Sequence, residues 1–216
     1  MTSSIESLPE RFPVFPLKGT VLLPRGNLPL NIFEPRYLAM VRDAMQTDKI
    51  IGMIQPRDEE ADEHGIPRLY TTGCAGHVTN FQETDDGRYL ITLSGICRFD
   101  VTHELEVPTA YRQVHADFRR WYGDLQPDTP PASIKRELVG TLRGYFERHG
   151  IEADWKAIDT APLAGLITSL AMICPFEAAE KQALLEAPTL ARQAELLVAL
   201  MQMATMQEED GAQRLH

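Results

Sequence analysis

The sequence predicts an α+β protein: a small, coiled, partly closed β-barrel carrying one inserted helix, followed by an all-α helical bundle. Three observations predict it. Through residue 122 the chain is made of short apolar or alternating runs cut by turn residues, as in sheets built from many short strands. One stretch among them has helical instead of strand spacing. Beyond a Pro-rich break at Asp124–Pro131, apolar positions recur at helical spacing almost to the end. The division places a barrel subdomain at 1–123, a linker at 124–131 and a helical subdomain at 132–216.

The opening runs are Phe12–Phe15, Val21–Leu23 and Leu28–Phe33, broken by Pro13, Pro16, Gly19, Pro24, Gly26 and Pro29. Prolines this dense fit edge strands and turns, because each removes a ladder donor. Glu34-Pro35-Arg36 then reads as a helix start, since proline suits a first turn and glutamate suits the helix dipole. Tyr37, Met40, Val41, Ala44 and Met45 form one apolar face of that helix. Lys49–Ile54 reads as a buried strand. Arg57–Pro67 is acidic and punctuated, which predicts a solvated, mobile excursion. Gly73–Phe81 leads into a hairpin signal at Asp85-Asp86-Gly87. Arg88–Val101 alternates, with Tyr89, Ile91 and Leu93 on one face and Leu90, Thr92 and Ser94 on the other. Gly95 is placed for a bulge or bend that turns a barrel corner. Tyr111–Tyr122 is read as the last strand.

In the second half, Ile134, Leu138, Leu142, Tyr145 and Phe146 make a helix face, and Gly150 sits where a helix-ending glycine belongs. Leu163, Leu166, Ile167 and Leu170 make a second. A third is expected over 176–186, and Pro188 separates it from a fourth over 190–206. The uncharged stretch between Asp159 and Glu177 is too short and too Pro-bounded to span a bilayer, so it reads as a buried core helix.

Composition narrows the functional classes. The chain has 216 residues, 31 acidic and 21 basic, for a net charge of −10. The parts before and after residue 122 carry −4 and −6, so neither is a basic module. That disfavours nucleic acid and anionic lipid as partners. Three cysteines give no disulfide framework and suggest a reducing compartment. The N-terminus lacks a basic segment followed by an apolar run, so no secretory signal is expected. The expected location is cytoplasmic.

The order of pieces resembles the N-terminal substrate-binding domain of Lon protease. The resemblance lies in Phe12–Leu17, Val21–Pro24, Leu28–Tyr37, Leu93–Arg98 and Lys181–Glu186. It implies a six-stranded, PUA-like β-barrel with an inserted helix, then a helical bundle. In Lon an ATPase and a Ser–Lys protease follow, and the chain here stops at His216 without a phosphate-cradling Gly-x-x-x-x-Gly-Lys-Ser/Thr loop. The expectation is therefore a stand-alone, non-catalytic module, related to the S16 peptidases, that binds unfolded or partly folded polypeptide. Two alternatives stand beside it: an adaptor docking on a folded partner such as a protease complex, and a PUA-like RNA binder, which the acidic charge disfavours. A monomer or weak homodimer is expected, because Leu196, Leu197, Leu200, Met201 and Ala204 either close the bundle or seat a second copy.

Spacing along the chain separates the candidate sites. Cys74 and His77 are three apart on a strand and point to opposite faces, and Cys97, His103 and His115 show no ligand spacing. Asp58, Glu59, Glu60, Asp62 and Glu63 do not follow a calcium loop. Ser133 and Lys135 are two apart on a helix and do not face each other, and Ser94 lies in a β run with no local nucleophile signature. No catalytic residue, metal or cofactor is expected. The Phe33-Glu34-Pro35-Arg36-Tyr37 motif reads as structural: Phe33 and Tyr37 in the core, Glu34 capping the helix, Arg36 paired with an acid. Gly95 and Arg98 are family-motif positions read the same way. Two places offer apolar surface for a peptide. One is the Pro-rich edge with Leu22, Leu23, Leu28 and Leu30. The other is the aromatic group Phe118, Trp121 and Tyr122 before the linker.

Overall fold

The structure is a computed structural model that describes residues 8–61 and 65–213, the side chains of 58–60 and 207–213 excepted. The chain divides into two compact units that meet between Pro127 and Asp128. The first contains β1 (Arg11–Pro16), β2 (Asn27–Ile32), α1 (Pro35–Met45), β3 (Ile50–Ile54), β4 (Pro56–Ala61) and β5 (Pro67–Leu69). It continues with β6 (Thr72–Glu83), β7 (Tyr89–Glu104), β8 (Gln113–Asp117) and a 3₁₀ segment, Arg119–Leu125.

Six strands form one sheet in the order β2-β7-β6-β3-β1-β8, and β8 also pairs with β7. That last pairing closes β7, β6, β3, β1 and β8 into a ring, with β2 attached outside it. The long strand β7 makes this possible by serving two partners on one edge. Its first half pairs with β2, from Asn27↔Ser94 to Ile32↔Tyr89. Its second half pairs with β8, from Asp100↔Asp117 to Glu104↔Val114. Between them the register against β6 slips, Gly76 facing Gly95 and Ala75 facing Cys97, which leaves Ile96 bulged.

Gly95 is required at that bend. A Cβ there would lie 2.0 Å from the Leu23 carbonyl oxygen. The segment after β1 crosses β7 at this point, where Arg25 N–H donates to the Gly95 carbonyl and Gly95 N–H to Gly26, both at 2.8 Å. Val21–Leu23, read as a strand in the sequence, instead forms a buried crossing, with Val21, Leu22 and Leu23 all in the core. The barrel interior is filled by Phe12, Val14, Ile54, Cys97, Phe99, Val114, Phe118 and Trp121, among others. Phe12 and Phe99 meet edge to face, centroids 5.0 Å apart.

Three other expectations are corrected. The excursion at 57–67 carries an antiparallel ribbon, β4 with β5, anchored by Pro56↔Leu69 and Arg57↔Arg68; Asp62 and Glu63 lie outside the described residues, as do the side chains of Asp58, Glu59 and Glu60. The last strand ends at Asp117, because Phe118 and Trp121 turn into the core on a 3₁₀ segment. The proposed linker begins too early. Asp124 belongs to the first unit, where its carboxylate takes a bidentate pair from Arg98 (Nη2 to Oδ1 2.6 Å, Nε to Oδ2 2.9 Å) and the Arg98 backbone N–H at 2.9 Å. Both side chains are under a tenth exposed. The guanidinium also lies 3.9 Å above the Trp121 ring.

The second unit contains α2 (Ala132–Arg148), α3 (Trp155–Thr160), α4 (Leu163–Ile173), α5 (Ala178–Glu186) and α6 (Leu190–Gln213). The helix α6 packs on α2, α4 and α5, with Leu138, Leu142, Ile167, Leu184, Leu197 and Met201 fully buried. Gly150 ends α2 at φ 62°. Its N–H reaches the Glu147 carbonyl and that of Ile151 the Phe146 carbonyl, the glycine-dependent C-terminal motif. The short α3 has no counterpart in the apolar spacing; Asp154 caps it by accepting from Ala157 N–H at 3.0 Å. In the Lys181–Glu186 motif, Lys181 Nζ donates to the Met172 carbonyl at the end of α4 (3.0 Å), and Gln182 donates to Glu186 (2.7 Å).

Two outcomes are expected. Gly95→Ala should cost about 3 kcal/mol or more in urea unfolding, because its methyl meets fixed backbone. Asp124→Ala should cost about 3–5 kcal/mol by stranding a buried guanidinium, whereas the double change Arg98→Met with Asp124→Leu should recover most of that loss. Equal losses in single and double variants would contradict the role given to the pair.

Candidate polypeptide-binding surface

Beyond the ring, β2, β7 and the end of β6 continue as a three-stranded tip. Its rungs are Leu30–Ile91–Phe81, Asn31–Leu90–Gln82 and Ile32–Tyr89–Glu83. Alternation sends Tyr89 and Ile91 into the core and turns Leu90 out, 39% exposed. Phe33 follows one residue past the Ile32↔Tyr89 rung and is 63% exposed. This corrects the expectation that Phe33 packs inside, because β2 ends at Ile32 and the chain leaves the sheet to start α1. Phe81 is 39% exposed, its ring 4.9 Å from that of Tyr89. Leu90 and Phe81 therefore stand on opposite faces of the tip, Phe81 on the side of Tyr89 and Ile91, and the ion pairs Glu34–Arg36 and Asp86–Arg88, both 2.8 Å, lie just past the ends of its strands.

The rest of the helix-start motif is tied into the fold. Pro35 opens α1 after the N-cap Glu34, whose side chain makes no capping hydrogen bond and is held by Arg36 instead. Arg36 lies over the Tyr37 ring at 4.6 Å, and Tyr37 is buried against Phe15, centroids 4.3 Å apart.

The strand β2 is at the edge of the sheet and pairs with β7 alone. It contains Pro29, which has no N–H to give, and proline in a paired strand turns its nitrogen away from its neighbour. Residues of one parity point their backbone groups to the same side, so Asn27, Pro29 and Asn31 face the open edge. That edge offers three carbonyls and two N–H donors.

The residues proposed from sequence divide by burial. Leu28 and Leu30 are half-buried on β2. Leu22 and Leu23 are core residues, buried by the crossing at Gly95. Phe118 and Trp121 are core residues as well. Trp121 is held between Arg98 and Arg120 (4.3 Å) and donates Nε1–H to Asp100 Oδ1 at 3.1 Å. Of that group Tyr122 alone is exposed, at 54%. Phe81 and Leu90, exposed at the tip, lie outside that set, and Phe33, read as a core residue, is exposed as well. The signal for Leu90 was present: it is an apolar residue in the polar register of an alternating strand.

The side chains weighed for chemistry have other partners. Ser94 donates to Asn27 Oδ1 at 2.6 Å and lies 3.1 Å from the Thr79 hydroxyl. Lys135 gives its ammonium to the Asp159 and Ala161 carbonyls at 2.6 and 2.7 Å, ending α3. Cys74 is fully buried, and burial raises its thiol well above the ordinary range. Burial pushes Cys97 up to about 12 and Cys174 to about 11. No helix among the described residues is long and apolar enough to cross a membrane.

Comparison with known proteins gives one family. The model described as "ATP-dependent protease La (LON) substrate-binding domain" matches residues 11–203. Lon protease 2 of Myxococcus xanthus is 26% identical over 206 residues, 91% of this chain and 24% of its own length. Escherichia coli Lon protease is 24% identical across 88% of this chain and 24% of its own length. The chain thus spans about a quarter of the length of these curated relatives. Among solved structures, a Lon N-terminal domain protein from Xanthomonas campestris superposes with a TM-score of 0.63 at 24% identity, covering 88% of this chain and 97% of that one. The N-terminal domain of Mycobacterium avium complex Lon protease gives 0.61 at 15% identity, covering 89% and 98%.

Because a thiol must ionise to attack, the three buried cysteines should be inert in the folded protein. An aromatic disulfide reagent at pH 8 is expected to titrate no thiol in buffer and three in guanidinium chloride. A fast-reacting thiol in buffer would contradict the burial.

Proposed function

Since the chain belongs to the ATP-dependent protease La (LON) substrate-binding domain family, we propose that it recognises extended, partly apolar polypeptide segments at the tip built by β2, β7 and β6. The observation that supports this most is the exposure of Phe33 and Leu90 beside the unpaired edge of β2. An unfolded segment laid along β2 gains main-chain hydrogen bonds at Asn27 and Asn31 and covers Phe33 and Leu90. Leu28 and Leu30 lie under it. Pro29 keeps the edge from pairing too well, since it withholds the central donor. The binding is accordingly weak and sequence-tolerant, as suits a surface that meets many unfolded chains.

Binding, and not cleavage, is assigned to residues 11–203. Ser94 and Lys135 are committed to structural hydrogen bonds, and the three thiols are buried. The net charge of −10 weighs against an RNA ligand. Three buried free cysteines suit the reducing cytoplasm. Docking on one folded partner remains the rival reading, and it predicts a single stoichiometric complex in place of capture of many unfolded chains.

Fluorescence anisotropy with a labelled, carboxymethylated unfolded protein tests the proposal. The double variant Phe33→Ser, Leu90→Ser should bind about tenfold or more weakly, since each lost apolar contact is worth about 1 kcal/mol. Pro29→Ala should bind a few-fold more tightly, because it restores a donor worth about 1 kcal/mol net. Wild-type affinity in both variants would overturn the site.

A further inference from the structure

Away from the tip, a cavity of about 540 Å³ lies between β5 and the second half of β7. Residues 66–71 line one side of it, and Val101, His103, Glu104 and Arg112 line the other. Two contacts hold the sides together. Val101 N–H donates to the Thr71 carbonyl at 2.7 Å. Arg112 reaches across, giving Nη1–H to the Pro67 carbonyl and Nε–H to Glu104 Oε2, both at 2.8 Å.

The lining joins two chemistries. Ile66, Leu69 and Val101 are apolar, and Ile66 stands half exposed beside the cavity. Arg68 is exposed and makes no hydrogen bond or ion pair among the described residues. Arg57 is placed opposite it on β4, which adds to the positive field. Glu104, the one carboxylate in the lining, is already matched by Arg112. That bidentate pairing and the Pro67 contact use three of the five N–H groups of Arg112 and leave the other two. The cavity is therefore cationic, in a protein whose net charge is −10.

We propose that this cavity receives the carboxylate end of a polypeptide whose last side chain is apolar. The carboxylate is held by Arg68 and the unused N–H groups of Arg112, and the last side chain lies against Ile66, Leu69 and Val101. A chain terminus has both groups on one residue. An internal aspartate or glutamate brings a carboxylate alone, since its neighbours in an extended chain point the other way. The Arg112 bridge joins the two sides, which favours a chain end over a segment passing through. Pockets of roughly 300–1,000 Å³ take small ligands, so the size suits a chain end and excludes a folded partner. The choice of a polypeptide as the carrier of the carboxylate rests on the substrate-recognition reading above. The pocket adds to it a second, end-specific contact apart from the tip.

The test uses the full chain and short peptides of one sequence, labelled at the N-terminus and ending in leucine, as the free acid and as the amide. By fluorescence anisotropy the acid should bind about tenfold or more tightly than the amide, which has lost the charge. Arg68→Gln, at an exposed position, should lower binding of the acid to the level of the amide. An acid ending in glycine should bind a few-fold more weakly than the one ending in leucine. The double variant Phe33→Ser, Leu90→Ser should keep the preference for acid over amide, so failure at the tip and failure at this pocket give different results. Four outcomes would each overturn the pocket: no saturable binding of the acid up to about 1 mM, equal binding of acid and amide, equal binding of the leucine and glycine acids, or an unchanged preference in Arg68→Gln.

Discussion

Midway along β7 the chain has to bend, and it has to do so where another backbone crosses it. Gly95 meets both demands, because the Leu23 carbonyl occupies the place of its missing side chain. The bend gives β7 two different partners on one edge, β2 before it and β8 after it. Without it the strand would run straight, and β8 would reach β1 without closing on β7. The crossing that depends on it carries Leu22 and Leu23 into the core. A single steric constraint thus sets ring closure, the path of the first loop and the position of β2 outside the ring.

The same bend carries Arg98 to the place where Asp124 can reach it. Charges buried this deeply cost several kcal/mol each unless fully paired. Here the pairing is complete: a bidentate bridge, the Arg98 backbone N–H and the Trp121 face. The outcome is specificity for one arrangement. The segment after β8 docks on the barrel in the single register that brings Asp124 to Arg98, and Trp121 goes into the core with it. The Lys181–Glu186 motif does related work in the second unit, where Lys181 answers a helix-end carbonyl that would otherwise be left open. Lys135 is of the same kind, since it answers the Asp159 and Ala161 carbonyls at the end of α3.

Closing a ring and leaving one strand outside has a further consequence. A closed ring has no edge, so the unpaired backbone of this sheet is concentrated at β2 and at the tip it shares with β7 and β6. Exposed apolar side chains on that tip would favour edge-to-edge association. Pro29 and the ion pairs at its rim oppose it, which allows Phe33 and Leu90 to remain on the surface. The seam between β7 and β8 is the opposite case. There the ladder is continuous but irregular, and the extra residue, Thr102, brings two histidines from distant parts of the sequence side by side.

The amino-acid sequence by itself determined the kind of each large element. Strand alternation, helical periodicity, Pro35 and Gly150 are local signals set by backbone sterics and side-chain spacing, and they placed the barrel, its inserted helix and the helical half. The role of Gly95 as a bend was legible too, because an isolated glycine in an alternating strand has few other uses. What the sequence did not determine is whatever depends on meeting across the chain. Burial of Leu22, Leu23, Phe118 and Trp121 followed from a crossing and a buried ion pair between residues 26 apart, neither of which has a local signature. Exposure of Phe33 followed from where β2 ends. His103 and His115 are neighbours only because β8 closes on β7. Tertiary structure decided which apolar residues became surface and which polar residues became partners, since both are settled by what packs against a side chain and not by what precedes or follows it.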